Sequence, residues 1–154
     1  MSDSKKITVT GRCYCDKVRY KISTEKPIFS AYCHCTICQR ITGGVATHAV
    51  GFQIPDLTIT FGSDNLIPFN TTEPITRYRC KTCGTPIYGE VNEPDFQFRD
   101  ISVATLDRDE EERMKLPEEF KPDHHMFYAR RVVDIKDGLK KFARFRWDSE
   151  HIPE

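Results

Sequence analysis

The sequence predicts a mainly β protein with little helix. Three observations point there. Apolar and polar residues alternate over short stretches, most clearly where Leu57, Ile59 and Phe61 interleave with Thr58 and Thr60. The strand-like stretches follow one another without an intervening helical segment. No long run carries a 3.6-residue apolar period.

Taken in order, Lys6 to Thr10 places Ile7 and Val9 on one side, and Val18, Tyr20 and Ile22 alternate with Arg19 and Lys21. Ile28 to Cys33, Val45 to Phe52 and Leu57 to Phe61 read as further short strands. Asn65 to Pro74 holds two prolines among polar residues and reads as a loop. Thr76 to Cys80 and Pro86 to Val91 flank a Cys-x-x-Cys-Gly turn, and Phe98 to Leu106 and Met126 to Ile135 are expected strands. Asp107 to Glu112 carries five acids in six residues and reads as a solvated loop or short exposed helix. Leu139 to Trp147 fits a short terminal helix or strand; Phe142, Phe145 and Trp147 in it read as packing residues.

The 154 residues suit one domain, with no repeat, low-complexity linker or internal boundary, so 1–154 is expected to be a single unit. Lys plus Arg and Asp plus Glu both number 23, which removes electrostatic support for a polyanion-binding role; no nucleic-acid partner is expected. No apolar run approaches the ~18 residues of a membrane span, so no membrane partner is expected either. The start, MSDSKKITVTG, lacks the apolar segment of a secretory signal. The expected location is the cytoplasm, with the nucleus and mitochondrial import left open. In a reducing compartment, seven cysteines point to metal or catalysis before disulfides.

All seven fall in three clusters: Cys13-Tyr14-Cys15, Cys33-His34-Cys35-Thr36-Ile37-Cys38 and Cys80-Lys81-Thr82-Cys83-Gly84. Residues i and i+2 of a strand share a face, so Cys13 and Cys15 can present two sulfurs together. Cys80-x-x-Cys83-Gly84 has the form of a zinc knuckle, with Gly84 able to take positive φ after the second ligand. A structural zinc takes four protein ligands, and a catalytic zinc takes three plus an open position. Two pairs make four, and the triplet Cys33, Cys35 and Cys38 makes three. A second partition joins Cys35 and Cys38 with Cys80 and Cys83 as a zinc ribbon, across a gap longer than the usual ~15–20 residues. A redox reading of Cys80-x-x-Cys83 would need a strand-to-helix turn, and no helix is expected after it.

The order Gly11-x-Cys13-x-Cys15, Cys33-His34-Cys35-x-x-Cys38-Gln39-Arg40, Thr42-Gly43-Gly44 and Cys80-x-x-Cys83-Gly84-Thr85-Pro86 resembles the glutathione-dependent formaldehyde-activating enzyme family, which includes the centromere protein V homologues. The likeness continues through Asp123-His124-His125-Met126-Phe127 and Asp137-Gly138-Leu139, over about residues 8 to 143. It implies a β-tent, small antiparallel sheets meeting around zinc. It also implies two zinc ions: a structural one on Cys13, Cys15, Cys80 and Cys83, and a catalytic, labile one on Cys33, Cys35 and Cys38 with an exchangeable fourth ligand. The activity implied is S-(hydroxymethyl)glutathione formation, carbon–sulfur lyase chemistry in the reverse sense, on a small thiol.

Three thiolates leave a zinc with reduced Lewis acidity and a soft open position, which suits an incoming thiol held as thiolate. That sulfur is a nucleophile toward an aldehyde carbon. Backbone N–H groups at Gly43 and Gly44 are candidate donors to the product oxygen, or make a simple turn. His125 is a candidate proton donor by resemblance, its neighbour His124 being indistinguishable from it on physical grounds. Gln39 and Arg40 are candidate contacts for a substrate carboxylate. His34 is expected to turn its side chain away from a metal already held by three sulfurs, and His48 to be structural. A second class of function stays open, a non-enzymatic zinc module that binds a protein or a thiol. Arg130-Arg131 and the basic stretch from Lys136 to Arg146 would then mark its partner surface. Exposed edge strands leave a homodimer open as well.

Overall fold

The computed structural model describes residues 5–72 and 74–153, apart from the side chains of residues 71 and 72. The first three strands are β1 (Ile7–Arg12), β2 (Arg19–Thr24) and β3 (Phe29–Cys33). A seven-residue helix, α1 (Thr36–Thr42), follows and precedes β4 (Thr47–Phe52) and β5 (Leu57–Phe61). Then come β6 (Leu66–Thr72), β7 (Ile75–Cys80), β8 (Pro86–Glu93) and β9 (Phe96–Ser102). The chain closes with β10 (His124–Met126), β11 (Lys140–Phe142) and β12 (His151–Ile152). Short 3-10 turns supply the remaining helical residues. The protein is mainly β, with α1 the one α-helix among the described residues.

Two sheets form. One has the order β1-β2-β5 and is antiparallel; the other has the order β12-β11-β10-β3-β4-β9-β8-β7-β6. In the larger sheet β10 runs parallel to both β3 and β11, which brings His125 beside Tyr32 and Lys141. The pleat divides the core. On β4, Val50 joins a cluster with Tyr20, Phe52, Ile87 and Phe120, while its neighbour Ala49 joins one with Phe29, Ala31 and Phe98. Cys13 and Cys80 lie in the first cluster, Cys33 in the second. Each cysteine group is thus rooted in its own apolar body.

Several expected boundaries move. Residues 66–72, read as loop, form an edge strand; Pro68 is tolerated there because β6 pairs only with β7 among the described strands. The strand expected over Met126 to Ile135 ends at Met126, because Phe127 takes φ 55° and turns the chain into a 3-10 segment. The strand expected to reach Leu106 stops at Ser102, whose hydroxyl accepts the Ala104 N–H and starts another 3-10 turn. In β5 the expected alternation holds at Leu57, which is buried, but Phe61 is exposed and lies under the Arg19 guanidinium, 5.6 Å from its carbon to the ring centroid. The acidic stretch from Asp107 to Glu112 carries exposed charges, with Asp109 accepting N–H groups of Glu111 and Arg113.

Candidate metal centres

The seven sulfurs gather into two groups, Cys13, Cys15, Cys80 and Cys83 in one and Cys33, Cys35 and Cys38 in the other, each with its Sγ atoms within 4.8 Å of one another. All seven are free thiols. In the first group Cys13 and Cys15 follow the end of β1, and Cys80 ends β7. Cys83 stands in the turn into β8, where Gly84 at φ 78° lets its N–H reach back to the Cys80 carbonyl at 2.9 Å. The Cys13–Cys15 and Cys15–Cys80 Sγ separations are 3.6 and 3.7 Å. Sulfurs bound tetrahedrally at ~2.3 Å from a zinc would stand ~3.8 Å apart, so the donor set fits that ion. Donors already face the sulfurs: Val18 N–H to Cys13 at 3.4 Å and Asn65 Nδ2 to Cys80 at 3.3 Å. They favour thiolates, the form that binds metal.

The second group is built by the helix missed in the sequence. Cys33 ends β3, Cys35 is the N-cap of α1, and its Sγ accepts the Cys38 N–H at 3.2 Å. Cys38 lies one turn on, 3.7 Å from Cys33 between sulfurs, again the spacing of tetrahedral zinc ligands. Hydrogen bonds from Cys33 and Cys38 hold the Cys35 thiol well below the ordinary thiol range, and the same sharing drives Cys33 well above it. Neither group mixes the two Cys-x-x-Cys pairs, so the ribbon pairing of Cys35 and Cys38 with Cys80 and Cys83 is not formed.

A buried polar chain stands behind the second group. His34, between two of its cysteines, is fully buried, and its Nε2 lies 2.8 Å from His125 Nδ1. His125, also fully buried, places Nε2 2.8 Å from Asp137 Oδ2. Asp137 Oδ1 accepts from Lys141 Nζ at 2.8 Å, and that ammonium, itself buried, also donates to the Leu139 carbonyl at 2.9 Å. Burial works to raise the Asp137 carboxyl, yet the hydrogen bonds from Lys141 and His125 outweigh it and hold it far below the usual carboxylate range. An ionised carboxylate only accepts, so a neutral His125 ring carries its proton on Nε2 and takes the Nε2–H of His34 on Nδ1. His34 Nδ1 is then a bare lone pair, buried and without a hydrogen-bond partner. Burial, and then the neighbouring His125 and Arg131, pull His34 down to about 4, so it is neutral near pH 7. Its ring nitrogens are not among the atoms grouped with the three sulfurs. Asp137 as a partner and Lys141 as a buried cation were not found by sequence reasoning.

The other candidate residues have definite places. His124 faces Asp123, with Nδ1 2.5 Å from Oδ1, and edges onto Phe142, away from His34. Gln39 Nε2 donates to the carbonyls of His34 at 2.7 Å and Arg130 at 3.0 Å, tying α1 to the loop after β10. Arg40 is exposed on the last turn of α1. The Gly43 N–H closes α1 onto the Gln39 carbonyl at 2.8 Å, and the Gly44 N–H donates to Thr42 Oγ1 at 3.2 Å. Both glycine N–H groups considered as donors to a product oxygen are therefore engaged by the chain itself. His48 is half-buried and holds Ser30 Oγ at 2.8 Å.

No helix among the described residues is long and apolar enough to cross a membrane. In comparison with known proteins, the family model described as "Glutathione-dependent formaldehyde-activating enzyme" matches residues 8–130. Proteins of Emericella nidulans and Podospora anserina, provisionally named as glutathione-dependent formaldehyde-activating enzymes, are 24% and 26% identical over 65% and 71% of this chain. A similarly named protein of Penicillium rubens is 25% identical over 70% of it. The chain spans about half the length of these curated relatives, 52%, 51% and 56% respectively. A crystal structure of a Rhodobacter sphaeroides protein aligns with a TM-score of 0.49 at 20% identity, over 64% of this chain and 87% of that one. The family match takes in both cysteine groups and His125, and on it the chain belongs to the glutathione-dependent formaldehyde-activating enzyme family.

Proposed function

We propose that the chain is a zinc-dependent carbon–sulfur lyase-type enzyme acting on a glutathione-like thiol and its aldehyde adduct, as in S-(hydroxymethyl)glutathione formation. One observation carries this reading: a four-sulfur group and a three-sulfur group stand in the same small protein. Four thiolates complete a zinc's tetrahedron, whereas three leave one position for a donor from outside. Cys13, Cys15, Cys80 and Cys83 would hold the structural ion, and Cys33, Cys35 and Cys38 the catalytic one. A zinc on three thiolates supplies a soft open position that keeps an incoming thiol ionised at neutral pH.

The chain's own residues then orient the site. His125 acts by positioning His34, since its two ring nitrogens are taken by His34 and Asp137. Gln39 holds α1, and with it Cys38, against the backbone at Arg130. Arg40, exposed at the end of α1, is the contact for a carboxylate of the thiol. Gly43 and Gly44 shape the loop after α1. Residues 1–154 act as one domain, and seven free thiols suit a reducing compartment, for which we name the cytoplasm.

The test is adduct formation from glutathione and formaldehyde, followed by NMR with zinc-loaded protein. The expected result is acceleration over free thiol at the same pH, lost by at least about a hundredfold in Cys38→Ser. Wild-type protein that accelerates nothing with glutathione or a panel of small thiols would leave a zinc-holding module as the better account.

A further inference from the structure

A cavity of about 50 Å³ lies beside Cys38, between α1 and the faces of β4, β7, β8 and β9. Its walls are chiefly apolar and aromatic, with Ile41 on α1 and the stacked rings of Tyr78 and Tyr88, centroids 4.4 Å apart. Polar side chains interrupt these walls, Arg77, Asp100 and Thr47 among them. Thr47 Oγ1 is buried and has no hydrogen-bond partner among the described residues. Such a hydroxyl calls for a partner from outside the chain.

Asp100 is fixed in place. Its Oδ1 accepts the Gly89 N–H at 3.1 Å. A Cβ on residue 89 would stand 2.5 Å from that oxygen and 3.7 Å from Arg77 Nη1, so the carboxylate's approach requires glycine there, and the guanidinium borders the same spot. Burial raises the Asp100 carboxyl, and the Arg77 charge is the first influence that opposes it. Arg77 and Cys38 line the same cavity, so the guanidinium is placed to meet a negative charge that develops beside the sulfur trio.

We infer that this cavity is the carbonyl pocket of the proposed reaction, taking a small aldehyde with Arg77 as donor to its oxygen. The inference rests on the proposed function. A water needs about 10–15 Å³ of such space, so the cavity admits only a few heavy atoms; a tripeptide thiol is several times too large and must lie outside it. In the forward reaction the thiol loses its proton and its sulfur forms a bond to the carbonyl carbon. The π pair moves to oxygen, which Arg77 and Thr47 face, and oxygen takes up one proton, so that thiol plus aldehyde equals hydroxyalkyl thioether. This supplies an oxygen donor that the engaged N–H groups of Gly43 and Gly44 do not.

The experiment uses zinc-loaded protein, glutathione, and formaldehyde, acetaldehyde, propanal and benzaldehyde, each rate divided by its uncatalysed rate. The wild-type enhancement should fall at least about tenfold per added methylene, the discrimination a small apolar pocket provides. Ile41→Ala should raise the propanal-to-formaldehyde ratio by about tenfold or more. Arg77→Lys should lower kcat by about a hundredfold with the KM for glutathione little changed, the pattern of a lost oxyanion donor. Zinc content equal to wild type would show that each variant is folded. Enhancement independent of aldehyde size, or a ratio unmoved by Ile41→Ala, overturns the pocket and leaves the proposed function standing. Arg77→Lys within about twofold of wild-type kcat overturns the donor role. No enhancement with any aldehyde ends the proposed function and this inference together.

Discussion

His34 Nε2 lies 2.8 Å from His125 Nδ1, and that bond joins the cysteine loop to the Asp137–Lys141 pair. Because the carboxylate accepts from one end, the proton positions along the chain are fixed. Long-range proton–nitrogen NMR of zinc-loaded protein should show His34 and His125 both as Nε2–H tautomers. An Nδ1–H signal for His34 would contradict the chain as drawn.

Lys141 is buried with its charge met by Asp137. Removing only the carboxylate breaks a buried ion pair, so Asp137→Leu should cost about 2–3 kcal/mol in urea unfolding, discounted from a fully buried pair because Asp137 is partly exposed. Adding Lys141→Met should return much of that loss. A double variant no more stable than Asp137→Leu alone would mean that the ammonium is not the group left stranded.

The same carboxylate gives an acid dependence. Its folded pKa lies below the ordinary value despite burial, because of the bonds from Lys141 and His125. Its contribution is therefore fully present above the unfolded value of about 4 and is lost as pH falls through the folded one. Urea midpoints should decline below about pH 4, and less steeply in Asp137→Asn. Identical declines in the two proteins would remove Asp137 from the account.

The cysteine groups should separate folding from function. Cys13→Ser or Cys80→Ser should unfold the domain, since a structural zinc contributes ~10 kcal/mol or more. Cys38→Ser should melt near wild type and lose only the weaker metal. Circular dichroism and thermal melts showing equal damage in both classes would mean that the roles are misassigned.

Much of the fold was readable because its signals are local. The alternation at Val18, Tyr20 and Ile22 is the β2 pattern, with Tyr20 and Ile22 buried on one face. Two cysteine clusters able to hold metal were readable because each Cys-x-Cys and Cys-x-x-Cys brings its own pair together. What escaped depends on distance or brevity. Seven residues give α1 too few turns for a visible period; its marks are the Cys35 cap and Gly43 at φ 72°. Pro68 disguised β6, since only edge placement makes a proline harmless in a strand. The polar chain from His34 to Asp137 is invisible in one dimension: His34 and His125 are 91 positions apart, and the parallel pairing of β3 with β10 brings them together.

The central claim is that the three-cysteine group has a place for an outside sulfur and the four-cysteine group does not. Cobalt(II) in place of zinc, titrated with glutathione, tests it most directly. Glutathione should strengthen the thiolate charge-transfer bands of the labile ion, because a sulfur replaces an oxygen donor, and leave those of the tight ion unchanged. Bands of both ions that ignore glutathione and every other small thiol tried would contradict the account.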